Sequence, residues 1–380
     1  MAKPTGSLCN MNCGYCYYLG ADSRGEDTRM SDALLEVFIR RYIEESPGPV
    51  VSFTWHGGEP ALAGLEFFRL AVELQKRYLP EGWTCWNNLQ TNGTLLDDEW
   101  AVFLAENRFD VGLSVDGTPE LHDLYRKDRG GGGTYERVVA AVSRLQARGI
   151  QADLLCTVTA VTAESPLAVY RALRQLGTGW IQFIPIVRKT PGGELTPESV
   201  GGEGYGRFLC VIFDEWLLND IGKTEVQLFA ETAMVRAGRA AALCWMAPVC
   251  GRVLIVERDG GVYACDHYVK PEYRLGDIAE SGLASLVDSP GQLSFGAGKR
   301  DTLPKQCREC QWLSLCNGGC PKDRFALTGS GEPGLNVLCQ GLKLFFAHSE
   351  APMKRVMELR RLGFGPHAIM AELRKEQRKK

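Results

Sequence analysis

The sequence predicts an α/β chain: a partial (β/α)6 TIM-like barrel followed by a smaller, cysteine-rich C-terminal domain. Three observations carry this. Apolar strand-like segments alternate with amphipathic helical patterns through the first half. The alternation stops near Ala240, and beyond it the cysteine density rises sharply. At 380 residues the chain is long for one domain and comfortable for two.

The strand candidates are Val50 to Trp55, Thr84 to Thr91, Asp110 to Asp116, Ala152 to Thr159 and Trp180 to Val187, which recur at intervals of roughly 25–40 residues. Helical patterns fill the gaps, among them "SDALLEVFIRRYIEE", "LEFFRLAVELQKRY", "DDEWAVFLAEN", "YERVVAAVSRLQARG" and "PLAVYRALRQLG". A short strand before Cys9 makes six. Apolar strands in βα units imply a parallel sheet covered by helices, with sites in the loops that follow the strands. "RGGGGT" (Arg129 to Thr134) reads as a loop and lacks the lysine of a phosphate-binding loop. After Ala240, "VLIVERDGGVYACD" reads as a hairpin turning at Asp259-Gly260. The stretch from Cys307 to Cys339 has little apolar material for a core, and two helical patterns, "EAPMKRVMELRRLG" and "GPHAIMAELRKE", close the chain. The expected division is 1–238, 239–345 and 346–380.

Bulk numbers exclude some classes. A formal net charge of −3 gives no electrostatic reason to expect nucleic acid, and the basic end "RKEQRKK" reads as a solvated helix end or frayed tail. No run approaches the ~18–20 apolar residues a membrane span needs, and no secretory signal precedes Cys9. A cytoplasmic location is expected, where thiols stay reduced. The 14 cysteines then point to metal rather than to disulfides.

Cys9, Cys13 and Cys16 stand at C-x3-C-x2-C spacing. Zinc would want a fourth ligand, and His56 is the only nearby histidine. A disulfide is disfavoured by compartment. A 4Fe–4S cluster on three thiolates would keep one iron open for a ligand. The spacing, with Tyr15 before Cys16, resembles the radical S-adenosylmethionine (SAM) enzymes, whose open iron chelates SAM. "HGGEP" follows the strand "VVSFTW", and Gly57 and Gly58 permit close backbone approach to a ligand. The resemblance implies that this loop, with Glu59 as acceptor, meets the amino group of SAM. It also implies SAM contacts for Ser114, Arg126 and Gln182.

Eight further cysteines lie in the C-terminal half. On spacing alone a pair of zinc ribbons is an alternative. The pattern resembles the SPASM extension of radical SAM enzymes that act on peptides, with two auxiliary 4Fe–4S clusters. That resemblance implies one cluster on Cys244, Cys250, Cys265 and Cys320 and another on Cys307, Cys310, Cys316 and Cys339, three clusters in all. Cys85, Cys156 and Cys210 are left as buried apolar residues.

Nearly the whole chain resembles the anaerobic sulfatase-maturating enzymes, through "HGGEPALAGLEFF", "LQTNGTLLDDEW", "VGLSVDG", "VYACDHYV", "EYRLGDI", "FGAGKRDTLP" and "CNGGCPKDRF". Ala61 departs from a threonine common after GGEP and bears on the helix cap. The resemblance implies oxidation of a sulfatase cysteine or serine to Cα-formylglycine. A 5′-deoxyadenosyl radical takes a β-hydrogen, a base takes the thiol or hydroxyl proton, and an auxiliary cluster accepts the remaining electron, which leaves the aldehyde from serine or a thioaldehyde from cysteine that water then hydrolyses. It implies Asp266 as that base, with His267 as a lesser candidate, and Tyr18 as a residue orienting the target. The implied partners are an unfolded or nascent sulfatase segment of C/S-x-P-x-R type and a low-potential donor such as ferredoxin or flavodoxin. The competing enzyme reading keeps the cofactors and crosslinks or epimerises a ribosomal peptide. No leader-binding domain is expected, since the triplet starts at Cys9. A third reading is a non-catalytic zinc or iron scaffold.

Overall fold

The βα alternation of the first half is present in a computed structural model that describes residues 1–19 and 28–378. In chain order it runs β1 (Ala2–Lys3), α1 (Asp32–Glu44), β2 (Val50–Trp55), α2 (Leu65–Tyr78), β3 (Thr84–Thr91), α3 (Asp98–Glu106), β4 (Phe109–Ser114) and α4 (Tyr135–Ala147). It continues with β5 (Asp153–Val158), α5 (Pro166–Gln175), β6 (Trp180–Pro185), α6 (Gly202–Asn219), β7 (Glu225–Val226) and α7 (Gln227–Arg236). The remainder comprises β8 (Ile255–Glu257), β9 (Gly261–Tyr263), β10 (Arg274–Asp277), α8 (Pro290–Asp301), α9 (Cys339–Arg361) and α10 (Pro366–Gln377). The expected α/β fold is the one observed. Of the basic end, α10 takes in residues to Gln377, while Lys379 and Lys380 lie outside the described residues.

Two compact units share the chain. The first takes Met1–Val115, His122–Asp153 and Cys250–Gly298, and the second takes Asp116–Leu121, Leu154–Val249 and Lys299–Lys380. In the first, the strand order is β10-β9-β8-β1-β2-β3-β4. β1 is parallel to β2, β2 to β3 and β3 to β4. The expected hairpin at Asp259-Gly260 forms as β8 and β9, and β8 runs parallel to β1 in the register Ala2↔Val256, Lys3↔Glu257. That pairing sets Lys3 beside Glu257 on one face of the sheet.

Alternation along β2 turns Val51, Phe53 and Trp55 into the core. Phe38 of α1 packs edge-on against Phe53, and Phe67 and Phe68 of α2 pack edge-on against Trp55. Each such aromatic, once buried, stabilises the fold by about 1.5–3 kcal/mol, so the end of β2 that leads into His56 is rigidly placed. Asn87 accepts from Trp55 Nε1 at 2.8 Å and from Gln75 Nε2 at 2.9 Å, which satisfies the polar groups this wall buries.

In the second unit β5, β6 and β7 are parallel neighbours. Phe213 of α6, Phe229 of α7 and Phe345 of α9 form one aromatic cluster. Helix α9 begins at Cys339, eleven residues before the helical pattern that opens at Glu350, and carries Pro352 inside it. Cys156 is fully buried, whereas Cys85 and Cys210 are only half-buried.

Candidate active site

The loop after β1 carries Cys9, Cys13 and Cys16. It is a chain of tight turns: Gly6 N–H donates to Lys3 O, Leu8 N–H to Thr5 O and Cys16 N–H to Cys13 O. Segment 125–129 holds it from outside, through Asn12 N–H to Lys127 O, Gly14 N–H to Tyr125 O and Arg129 Nε to Cys9 O at 2.9 Å. Met11 N–H points at Cys9 Sγ at 3.4 Å and Asn92 Nδ2 at 3.7 Å, donors that favour a thiolate. Burial pushes the Cys9 thiol up to about 11, so ionisation there calls for a bound cation, and a metal supplies one. All 14 cysteines are free of disulfides. Among the described residues no three His, Cys, Asp or Glu side chains converge as ligands of a single ion would. Three soft thiols on one loop suit an iron–sulfur cluster.

The HGGEP turn fastens this loop to β2. Gly58 N–H donates to Gly6 O and Glu59 N–H to Leu8 O, both at 2.8 Å. A Cβ on Gly57 would stand 2.9 Å from Gly6 O, and one on Gly58 would stand 2.1 Å from Leu8 O. The close approach these glycines permit is therefore to the chain's own cysteine loop. Gly58→Ala is expected to displace that loop, lowering the iron bound per chain and costing at least the ~1–3 kcal/mol of an overpacked site. Iron analysis with a denaturation midpoint checks it.

Glu59 is fully buried and already engaged. Its Oε1 accepts from Thr91 Oγ1 at 2.6 Å and Ala61 N–H at 3.0 Å, and its Oε2 from Asn92 N–H at 2.8 Å. Burial raises its pKa while these three donors pull it down. Glu59 thus ties β3 to the turn and caps the short helix Pro60–Ala63 itself, so Ala61 in place of threonine leaves the cap intact. His56 is half-buried, and desolvation lowers its pKa more than nearby Asp266 raises it. Its Nδ1 accepts from Gly57 N–H at 2.7 Å, which leaves the proton of the neutral ring on Nε2. Ser114 closes β4 and receives Gln90 Nε2 at 3.4 Å. Arg126 is buried, its guanidinium 5.5 Å from the centre of the Tyr15 ring beside Cys16. Gln182 lies on β6, in the second unit.

Asp266 opens a short 3-10 turn directly after Cys265. Its Oδ1 lies 2.6 Å from Lys3 Nζ, and its Oδ2 accepts from Tyr17 OH at 2.5 Å. Burial by itself would raise the Asp266 carboxyl. Lys3, His56 and His267 outweigh it and hold the carboxyl well below the usual carboxylate range. The Lys3 ammonium sits 3.4 Å over the Tyr18 ring and 3.9 Å from Glu257, and Tyr18 OH donates to Glu257. Tyr18 is buried, whereas Tyr17 is 49% exposed and packs on His267 with ring centres 5.0 Å apart. The tyrosine that faces the Asp266 carboxylate is Tyr17. Lys3, Tyr17 and Glu257 were not singled out from sequence. The one available signal was a lysine inside a strand whose neighbours are apolar.

Cys307, Cys310, Cys316 and Cys339 line a single pocket in the second unit, with Lys343 also in its wall. Cys244 and Cys320 belong to the same unit, and Cys250 and Cys265 to the first. There Gln292 of α8 donates to Gly251 O at 2.6 Å and Ala264 O at 3.1 Å, joining the backbones next to Cys250 and Cys265. Gly296, four residues on, receives Cys250 N–H, and a Cβ there would lie 2.3 Å from Cys250 O.

Known proteins align with this arrangement. Residues 4–173 match the radical SAM superfamily and residues 244–311 the SPASM iron–sulfur cluster-binding domain. The chain is 43% identical, over 92% of its length and 88% of the relative's, to a serine-type anaerobic sulfatase-maturating enzyme of Bacteroides thetaiotaomicron. It is 35% identical to a cysteine-type enzyme of Clostridium perfringens strain 13, over 92% of this chain and 95% of the relative. A solved structure of native anSMEcpe with bound AdoMet and Kp18Cys peptide superposes with a TM-score of 0.86 at 34% identity, covering 93% of this chain and 97% of the other. The chain thus belongs to the anaerobic sulfatase-maturating enzymes of the radical SAM superfamily, a family of iron–sulfur oxidoreductases.

Proposed function

We propose that this chain oxidises the β-carbon of a cysteine or serine in an unfolded or nascent sulfatase segment of C/S-x-P-x-R type, giving Cα-formylglycine. The observation that carries the reading is the Asp266 carboxylate, kept ionised by Lys3 and met by the hydroxyl of Tyr17, immediately after Cys265. Cys9, Cys13 and Cys16 would hold the 4Fe–4S cluster that binds SAM. Cys244, Cys250, Cys265 and Cys320, and Cys307, Cys310, Cys316 and Cys339, would hold the two auxiliary clusters. When bound, these groups supply one-electron hydrogen abstraction from the target and a sink for the electron left behind.

The protein's own residues do the rest. Asp266 receives the thiol or hydroxyl proton, which requires hydrogen-bond reach of the target. Tyr17 lies at the exposed side of that carboxylate, and Tyr18 shapes the same wall through Glu257. The HGGEP backbone, Ser114, Arg126 and Gln182 receive SAM. With Glu59 occupied by three donors, the backbone of the turn is the better acceptor for the SAM ammonium. A low-potential donor such as ferredoxin or flavodoxin would feed the N-terminal cluster, a partnership that fits a cytoplasmic enzyme. Among the described residues no helix is long and apolar enough to cross a membrane. The sequence division at 238 and 345 stands as our proposal for the domains.

The test is mass spectrometry of serine- and cysteine-containing sulfatase peptides after reaction with reduced enzyme and SAM. Expected is a carbonyl at the target, shown by loss of two hydrogens from the serine peptide and by hydroxylamine trapping with both. An untrappable intramolecular crosslink would assign the chain to ribosomal-peptide modification instead.

A further inference from the structure

Two motifs singled out in the sequence, "FGAGKRDTLP" and "CNGGCPKDRF", each hold a cation, Lys299 in the first and Arg324 in the second, that has no part in the reaction as described. Both Lys299 and Arg324 lie in the second unit. Lys299, at the end of α8, is 1% exposed. An ammonium has three donors, and here all three go to backbone carbonyls of one turn: Cys244 O at 2.7 Å, Trp245 O at 2.9 Å, and Ala247 O. Arg324 spreads its guanidinium over Gly318 O at 2.9 Å, Asn317 O at 2.7 Å and Gly319 O at 3.2 Å, the link between Cys316 and Cys320. It also donates to Lys299 O at 2.6 Å. Asn317 Nδ2 reaches Met246 O at 2.6 Å and joins the two loops.

We propose that Lys299 and Arg324 are positioning residues for an auxiliary cluster: they clamp the loops of Cys244 and Cys320, and their charge favours the cluster's reduced form. A 4Fe–4S cluster on four thiolates is anionic and gains another negative charge on reduction, and net charge and hydrogen bonding set its potential. Cations fixed behind its ligand loops therefore stabilise the reduced state more than the oxidised one. In the proposed reaction this makes the cluster a better acceptor of the substrate's electron. The inference rests on the reading that Cys244 and Cys320 ligate such a cluster.

The experiment is a redox titration followed by electron paramagnetic resonance on the reconstituted full chain, without SAM or peptide, so its result does not depend on the substrate assignment. Wild-type protein should carry about twelve irons, three clusters of four. Protein reconstituting without iron would sink the cluster reading and this inference together. Lys299→Gln should keep its iron and make one auxiliary couple about tenfold harder to reduce, ~59 mV more negative for one electron. Arg324→Gln should move the same couple the same way, and Lys299→Arg should leave it in place. A couple unmoved in Lys299→Gln, or moved alike in Lys299→Gln and Lys299→Arg, overturns the proposal. Should Lys299→Gln lose one cluster, retention of that cluster by Lys299→Arg supports a need for charge, and loss from both overturns it.

Discussion

Asp266→Asn is expected to retain the wild-type iron content and SAM cleavage while lowering formylglycine formation by about 10²–10⁴-fold, the usual worth of general base catalysis. The substitution changes little in shape. The amide oxygen still accepts from Tyr17 OH, where Asp266 now does so at 2.5 Å. What disappears is the negative charge 2.6 Å from Lys3 and the capacity to take a proton. Because the wild-type carboxyl is held well below its ordinary range by Lys3, His56 and His267, it is ionised throughout the neutral range. No loss of activity from protonating it is expected there as pH falls. Hydrogen abstraction without proton removal would show as 5′-deoxyadenosine formed in excess of aldehyde. Quantifying both products by liquid chromatography decides the matter, and a variant with full formylglycine output removes Asp266 from the mechanism.

Local patterns made most of the fold legible. β2 and β3 begin and end at the expected residues, and in β2 Val51, Phe53 and Trp55 alternate cleanly into one core. The cysteine triplet was visible as a spacing for a similar reason, since it lies on one short segment, whereas the four cysteines that line one pocket were implied as a set by the family resemblance. Long-range register was not visible. Lys3 meets Glu257 because β1 pairs with β8, two strands about 250 residues apart, and no periodicity encodes that partnership. The same gap hid the Asp266 ion pair with Lys3 and its hydrogen bond from Tyr17. Helix α8 escaped notice because "PGQLSFGAGKRD" carries three glycines, each costing about 1 kcal/mol of helix propensity. Gly296 accounts for one of them, since Cys250 O leaves no room for a side chain. Gly57 and Gly58 were read as points of close approach to a ligand, and the structure shows the backbone of Gly6 and Leu8 against them.

Lys3→Met is expected to destabilise the protein by about 3–5 kcal/mol, the cost of leaving buried carboxylates without their cation. Lys3 has no solvent exposure, Glu257 is buried beside it, and Asp266 is in direct contact with its ammonium. The pH dependence should change sign as well. In the wild type the folded Asp266 pKa is depressed. Its contribution to stability is present above the unfolded value of about 3.9 and is lost as pH falls toward the folded one. Between pH 6 and 8 that contribution is flat. In the variant, burial acts on Asp266 without the Lys3 ammonium, so the folded pKa moves up. The native state then binds more protons than the unfolded chain, and stability falls as pH rises, by at most ~1.4 kcal/mol per pH unit for one group. The deficit against wild type should consequently grow as pH rises from the unfolded value of about 3.9, and be larger at pH 7 than at pH 4. Denaturant midpoints of both proteins at the two pH values measure it. An equal deficit at both, or one below about 1 kcal/mol, would mean that solvent rather than Lys3 screens this carboxylate, and Asp266 would lose the support that fits it to act as the base.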